Sequence, residues 1–125
     1  MSMKLKNIQT GHTLATTVEI MDTPAKRAIG LLKYSEAPRH YAAVFPLPLN
    51  GFFPLVHTLG MKFPIDICFC DIDRKIIFKR SQVGAGRFVL PWLNFFGGAR
   101  YLIEFANCDL KETHAGEILE WSESA

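Results

Sequence analysis

His57-Thr-Leu-Gly-Met-Lys-Phe-Pro-Ile-Asp-Ile-Cys-Phe-Cys-Asp-Ile-Asp-Arg-Lys-Ile-Ile-Phe-Lys-Arg80 decides how this chain folds. Ile65, Ile67 and Phe69 alternate with Asp66, Cys68 and Cys70, so large apolar groups point to one face and small or polar groups to the other. Isoleucine and phenylalanine suit a pleated, half-buried surface. Asp71-Ile72-Asp73-Arg74 reads as a turn, because aspartate side chains accept nearby backbone N–H groups. Ile76 and Phe78 then face one way and Ile77 and Lys79 the other, as expected of a returning strand. The stretch predicts an antiparallel hairpin.

Further strands flank it. Thr13 to Ile20 alternates, with Leu14, Val18 and Ile20 on one face and three threonines favouring extended backbone. Tyr41 to Phe45 is a short apolar strand, Tyr101 to Phe105 another that places Leu102 with Glu104, and Ile118 to Trp121 a closing one. Asp22-Thr23-Pro24 is a helix start, an N-cap followed by proline in the first turn. Ala25, Ile29 and Leu32 recur at helical spacing, and Pro38 ends the run. One short amphipathic helix is expected at about residues 24–34. Several short strands, one helix and Pro/Gly-rich turns predict a mainly β fold: a small β-sandwich or partly open barrel of antiparallel strands with that helix packed on it.

The 125 residues, 49% hydrophobic and 21% charged, are enough for one domain with its own core and too apolar for disorder. Net charge is +2, and the surplus of basic residues before position 100 gives way to an acidic end. Lys62, Arg74, Lys75, Lys79, Arg80 and Arg87 form no dense basic block, so nucleic acid is not the expected partner. The N-terminal Met-Ser-Met-Lys-Leu-Lys lacks an apolar signal core, and no run reaches the roughly 18–20 apolar residues of a membrane span. As written, the sequence reads as cytoplasmic.

Cys68, Cys70 and Cys108 are odd in number and lack disulfide spacing, which favours buried free thiols. Cys-x-Cys on a strand is not a zinc knuckle, so no metal and no cofactor are expected. No Gly-x-Ser-x-Gly elbow or phosphate-binding loop occurs.

The polar residues embedded among apolar ones are the candidates for chemistry. His57, with Thr58 beside it, could serve as base or hydrogen-bond donor, or be a histidine satisfied by a backbone carbonyl. Asp66 interrupts an apolar strand, and a buried carboxylate needs partners to offset its desolvation. Glu104 is comparable, and the two acids could approach if their strands are neighbours. Pro46–Pro54 and Phe88–Gly98 are irregular stretches rich in aromatics, including Phe53 and Trp92. They either fold over the ends as core or form an apolar rim for a partner.

Thr23-Pro24-Ala25-Lys26-Arg27-Ala28-Ile29-Gly30-Leu31-Leu32, His57-Thr58-Leu59-Gly60-Met61, Phe63-Pro64-Ile65-Asp66-Ile67 and Tyr101-Leu102-Ile103-Glu104 together resemble a small bacterial and archaeal family, domain of unknown function 192. The resemblance spans about residues 13–121. It implies a compact β-sandwich-like domain and brings no reaction. The family pattern commonly has glycine where this chain has Arg74, and another within the Phe105-Ala106-Asn107 stretch. Many relatives also carry an export signal.

Two functional readings follow. In the first, the chain is a non-enzymatic binding or accessory module. His57, Thr58, Asp66 and Glu104 form a polar floor, and Phe53 and Trp92 help bind a protein partner or a small apolar ligand. In the alternative it is a small hydrolase or metal-assisted enzyme using His57 with Asp66 or Glu104.

Overall fold

The structure is a computed structural model that describes residues 4–21, 36–46, 63–84 and 98–121, and the backbone alone at 56–57 and 88–89. The elements are β1 (Leu5–Asn7), β2 (Thr13–Ala15), β3 (Thr17–Ile20), β4 (Tyr41–Pro46), β5 (Val56–His57), β6 (Ile65–Cys70), β7 (Ile76–Val83), β8 (Phe88–Val89), β9 (Tyr101–Ala106) and β10 (Leu119–Trp121). A five-stranded sheet runs β3-β4-β9-β6-β7, a three-stranded one β10-β1-β2, and β5 pairs with β8. The fold is mainly β, and its sheets do not close into a barrel. Among the described residues there is no helix, and none long and apolar enough to cross a membrane. The helix expected at 24–34 lies outside the described residues.

The predicted hairpin forms as β6 and β7, and alternation sorts β6 as expected. Ile65, Ile67 and Phe69 join one apolar cluster, while Cys68 and Cys70 join another. Both faces are covered, however, and all six residues of β6 are buried. The second face packs on the three-stranded sheet, because its cluster unites Cys68, Cys70, Ile103 and Phe105 with Leu5, Leu14, Leu119 and Trp121. Two sheets with an interdigitated core between them make a sandwich.

Backbone irregularities separate the structure from the simple alternating pattern. Thr13 to Ile20 is two strands, since β2 belongs to the small sheet and β3 to the large one. The switch falls at Thr16, whose N–H donates to the His40 carbonyl at 2.9 Å. β3 pairs with β4 in parallel, so the two are joined by a crossover, unlike the antiparallel neighbours. In β7, Phe78 stands opposite Phe69 and Ile76 opposite Cys70, which leaves Ile77 as the extra residue of a bulge. Ile76 therefore enters the inter-sheet core while Phe78 packs on the other face. The expectation that both share a face is corrected by that one inserted residue.

The turn closes as predicted on Asp71, whose carboxylate accepts the N–H groups of Asp73 and Lys75 at 2.9 and 3.0 Å. Arg74 sits at φ +64°, a conformation that favours glycine. Its guanidinium lies 4.0 Å from the Trp121 ring centroid and donates to the Trp121 carbonyl, tying the hairpin tip to β10. Asn107, at φ +55°, is the other non-glycine residue in this conformation where the family pattern has a nearby glycine.

Candidate functional site

Asp66 is placed by a second bulge. Ile65 pairs with Val83 and Ile67 with Arg80, so one position on β6 faces two on β7, Ser81 and Gln82. Such an insertion leaves a backbone N–H without its ladder partner. Asp66 supplies the acceptor: its Oδ1 takes the Gln82 N–H at 2.7 Å and the Gln82 amide at 3.4 Å. Only 6% of Asp66 is exposed. Among the described residues Oδ2 accepts no hydrogen bond, yet no fully buried side-chain oxygen lacks a partner. Oδ2 therefore reaches solvent.

Asp66 lines two cavities, which both also include Gln82 and Cys108. The smaller, of about 230 Å³, is walled by Phe63, Pro64, Ile65 and Phe105. The larger, of about 530 Å³, adds Ser81, Asp109 and Lys111. Gln82 and Asn107 add polar groups to the first and Leu110 an apolar side chain to the second, so both are mixed in character. Gln82, Asn107 and His40 hold positive φ angles of 52°, 55° and 47° at this end of the sandwich, and the His40 N–H donates to the Asn107 carbonyl. Left-handed backbone at non-glycine residues costs on the order of 1 kcal/mol each and tends to gather where a site is shaped.

Cys108 is half-buried and its thiol lies within 3.4 Å of the Tyr41 and Ala106 carbonyls. Burial pushes it up to about 12, and the nearby Asp66 carboxylate adds to the rise. Cys68 and Cys70 are buried free thiols, both raised by desolvation. None of the three is tuned as a nucleophile, which requires a depressed thiol.

Glu104 lies on the other side of the sheet. It stands opposite Ala43 of β4 and Ile67 of β6, both members of the cluster that faces away from the small sheet. Asp66 stands opposite Phe105, which belongs to the inter-sheet core. The two acids thus occupy opposite faces, and the pairing considered from sequence does not form. Leu102 and Glu104 do share a face. Glu104 is 8% exposed, and among the described residues nothing bonds to its carboxyl. Burial alone pushes it up to about 7.

The remaining sequence candidates are only partly placed. The backbone of His57 pairs with Phe88 across β5 and β8, a pairing nested outside the Ile65–Val83 end of the hairpin, the same end that carries Asp66. Its side chain is outside the described residues, as are Thr58, Phe53, Trp92 and most of both aromatic stretches. Sequence reasoning did not single out Gln82, and it read Cys108 only as a buried free thiol rather than as part of a site. Gln82 enters the site only through the bulge, and Cys108 only because β9 ends beside Asp66.

The DUF192 family model, described as an uncharacterised ACR, matches residues 5–116. Two solved structures are similar in fold. A protein of unknown function from Novosphingobium aromaticivorans DSM 12444 superposes with a TM-score of 0.74 at 17% identity, over 95% of this chain and 83% of its own. A candidate transcription regulator from Sinorhizobium meliloti 1021 gives 0.70 at 18% identity, over 95% and 91%. At such identities the likeness concerns the fold alone. No curated protein matches the chain.

Proposed function

The chain belongs to the DUF192 family, and from that premise we propose that it is a small binding module, with its ligand seated at the Asp66 cleft. The observation that carries this reading is the division of labour within one carboxylate. Oδ1 is committed to the bulge, Oδ2 accepts no hydrogen bond among the described residues, and Asp66 lines two cavities that both mix apolar and polar groups. A carboxylate oxygen in that setting selects an N–H donor or a cationic group. Phe63, Ile65 and Phe105 around it select an apolar body. The ligand class is therefore a small molecule with a positively charged nitrogen on an apolar frame.

The alternative, a small hydrolase or metal-assisted enzyme, has less support. Its two acids stand on opposite faces, so at most one of them can work with His57, and the thiol beside Asp66 is raised rather than activated.

Benzamidinium serves as a probe that combines both required features. Titrated into the labelled protein, it is expected to move the backbone amide resonances of Gln82 and Asn107 in a saturable way. Asp66→Asn, which keeps an acceptor for the bulge, is expected to weaken that binding about tenfold or more. Shifts confined to other regions, or an Asp66→Asn protein that binds equally well, would overturn the reading.

A further inference from the structure

The face opposite the Asp66 cleft carries a buried acid that the cleft does not use. Glu104 heads a row that crosses three strands. Ala43 of β4 stands opposite Glu104, and Glu19 of β3 stands opposite Ala43, all on one face. Strands lie about 4.8 Å apart, so the two glutamate backbones are about 10 Å apart with a single methyl group between them. Tyr41, one step along β4 on the same face, donates its hydroxyl hydrogen bond to Glu19.

We propose that this face holds a second binding position, for a primary ammonium group, with Glu104 as its carboxylate partner. Three observations support it. Glu104 is more than nine-tenths buried and, among the described residues, nothing bonds to its carboxyl. Since no fully buried side-chain oxygen lacks a partner, its carboxyl oxygens open on accessible space. Among the described residues, the flanking side chains Ala43, Ile67, Leu102 and Ala106 are all apolar, and Glu19 and Tyr41 are the nearest titratable groups on this face. An unpaired buried carboxyl is costly unless something neutralises it.

The same observations select the class of cation. Calcium and magnesium ions take six or more oxygen ligands and zinc about four from Cys, His or carboxylates, and among the described residues no group of three or more His, Cys, Asp or Glu side chains converges. An ammonium group on a carbon stem needs one carboxylate and apolar surroundings for the stem. The position is separate from the Asp66 cleft, because the sheet lies between them.

n-Butylammonium is the probe, and the carboxyl carbon resonance of Glu104 followed against pH is the readout. The midpoint of that titration is expected to fall by about one unit when the amine is present, since a bound cation favours the ionised carboxyl. Followed on the backbone amide resonances of Ala43 and Ile67, which remain when the carboxyl is replaced, n-butylammonium binding at this position is expected to weaken about tenfold or more in Glu104→Gln and not at all in Asp66→Asn. A midpoint that n-butylammonium leaves in place would overturn the proposal. So would an equal shift from n-butanol or from magnesium ion, which would make the position something other than an ammonium site. Loss of the effect in Asp66→Asn would refute its separateness. Benzamidinium binding at the cleft is read on other resonances, so either site can fail alone.

Discussion

Asp66 and Glu104 are one register step apart on neighbouring strands, with 6% and 8% of their surfaces exposed, yet they are opposite cases. Asp66 meets a backbone donor that a bulge has released. Glu104 meets only apolar side chains within the sheet, and burial raises its carboxyl to about 7. The contrast separates two reasons for a buried acid. One kind completes the backbone hydrogen bonding of the fold, and its desolvation is offset within the native chain. The other is left uncompensated, and a fold tolerates that at a loss of stability. An acid of the second kind is the better indicator of something bound.

The largest expected effect follows from Glu104. Its carboxyl is raised from 4.5 to about 7, so between those values the folded chain keeps a proton that the unfolded chain releases. The stability this contributes is complete below the ordinary carboxyl range and is lost as pH rises through about 7, by on the order of 3 kcal/mol. Glu104→Gln removes the titrating group, so urea midpoints compared at acidic and mildly alkaline pH should fall more steeply for the natural chain than for the variant. Parallel pH profiles would mean that Glu104 is compensated after all, and the contrast with Asp66 would collapse. A smaller effect is expected at the other acid. Asp66→Ala leaves the Gln82 N–H without its acceptor and should cost about 2 kcal/mol in urea unfolding, against less than half of that for Asp66→Asn. Equal losses in the two variants would show that the bulge does not depend on that bond.

Much of this contrast was legible in the residues themselves, but not where it mattered most. Alternation along Ile65–Cys70 assigned Ile65, Ile67 and Phe69 to one face, and the same rule joined Leu102 with Glu104. What alternation lacks is any link between strands. Whether Asp66 and Glu104 meet depends on the register of β6 against β9, and a shift of one residue exchanges the faces. Bulges are equally hidden, since Ser81-Gln82 and Ile77 look like ordinary strand residues until the partner strand is in place. β1 escaped notice for another reason. Leu5-Lys6-Asn7 is only three residues long, and its partner β10 is more than a hundred positions away. The family pattern did better at the turns, because Arg74 and Asn107 do adopt the backbone that the expected glycines suggest. His57 and the aromatic stretches carried most of the functional expectation, and their side chains fall outside the described residues.

The smallest predicted effect tests whether the Asp66 charge is felt within its cleft. Cys68 and Cys70 are buried, and Cys108 is only half-buried, so a thiol reagent should modify one cysteine per folded chain. The Cys108 thiol is raised chiefly by burial and secondarily by the Asp66 carboxylate. Since the thiolate is the reacting form, Asp66→Asn should speed its modification roughly twofold to fivefold at fixed pH. Burial is unchanged by that substitution, so the rate should stay well below that of an exposed cysteine. Glu104→Gln should leave it unaltered, because that acid lies across the sheet. An equal acceleration in both variants would report general loosening of the fold instead. The rate pattern thus distinguishes a local electrostatic link from a stability effect, and it does so without any ligand being known.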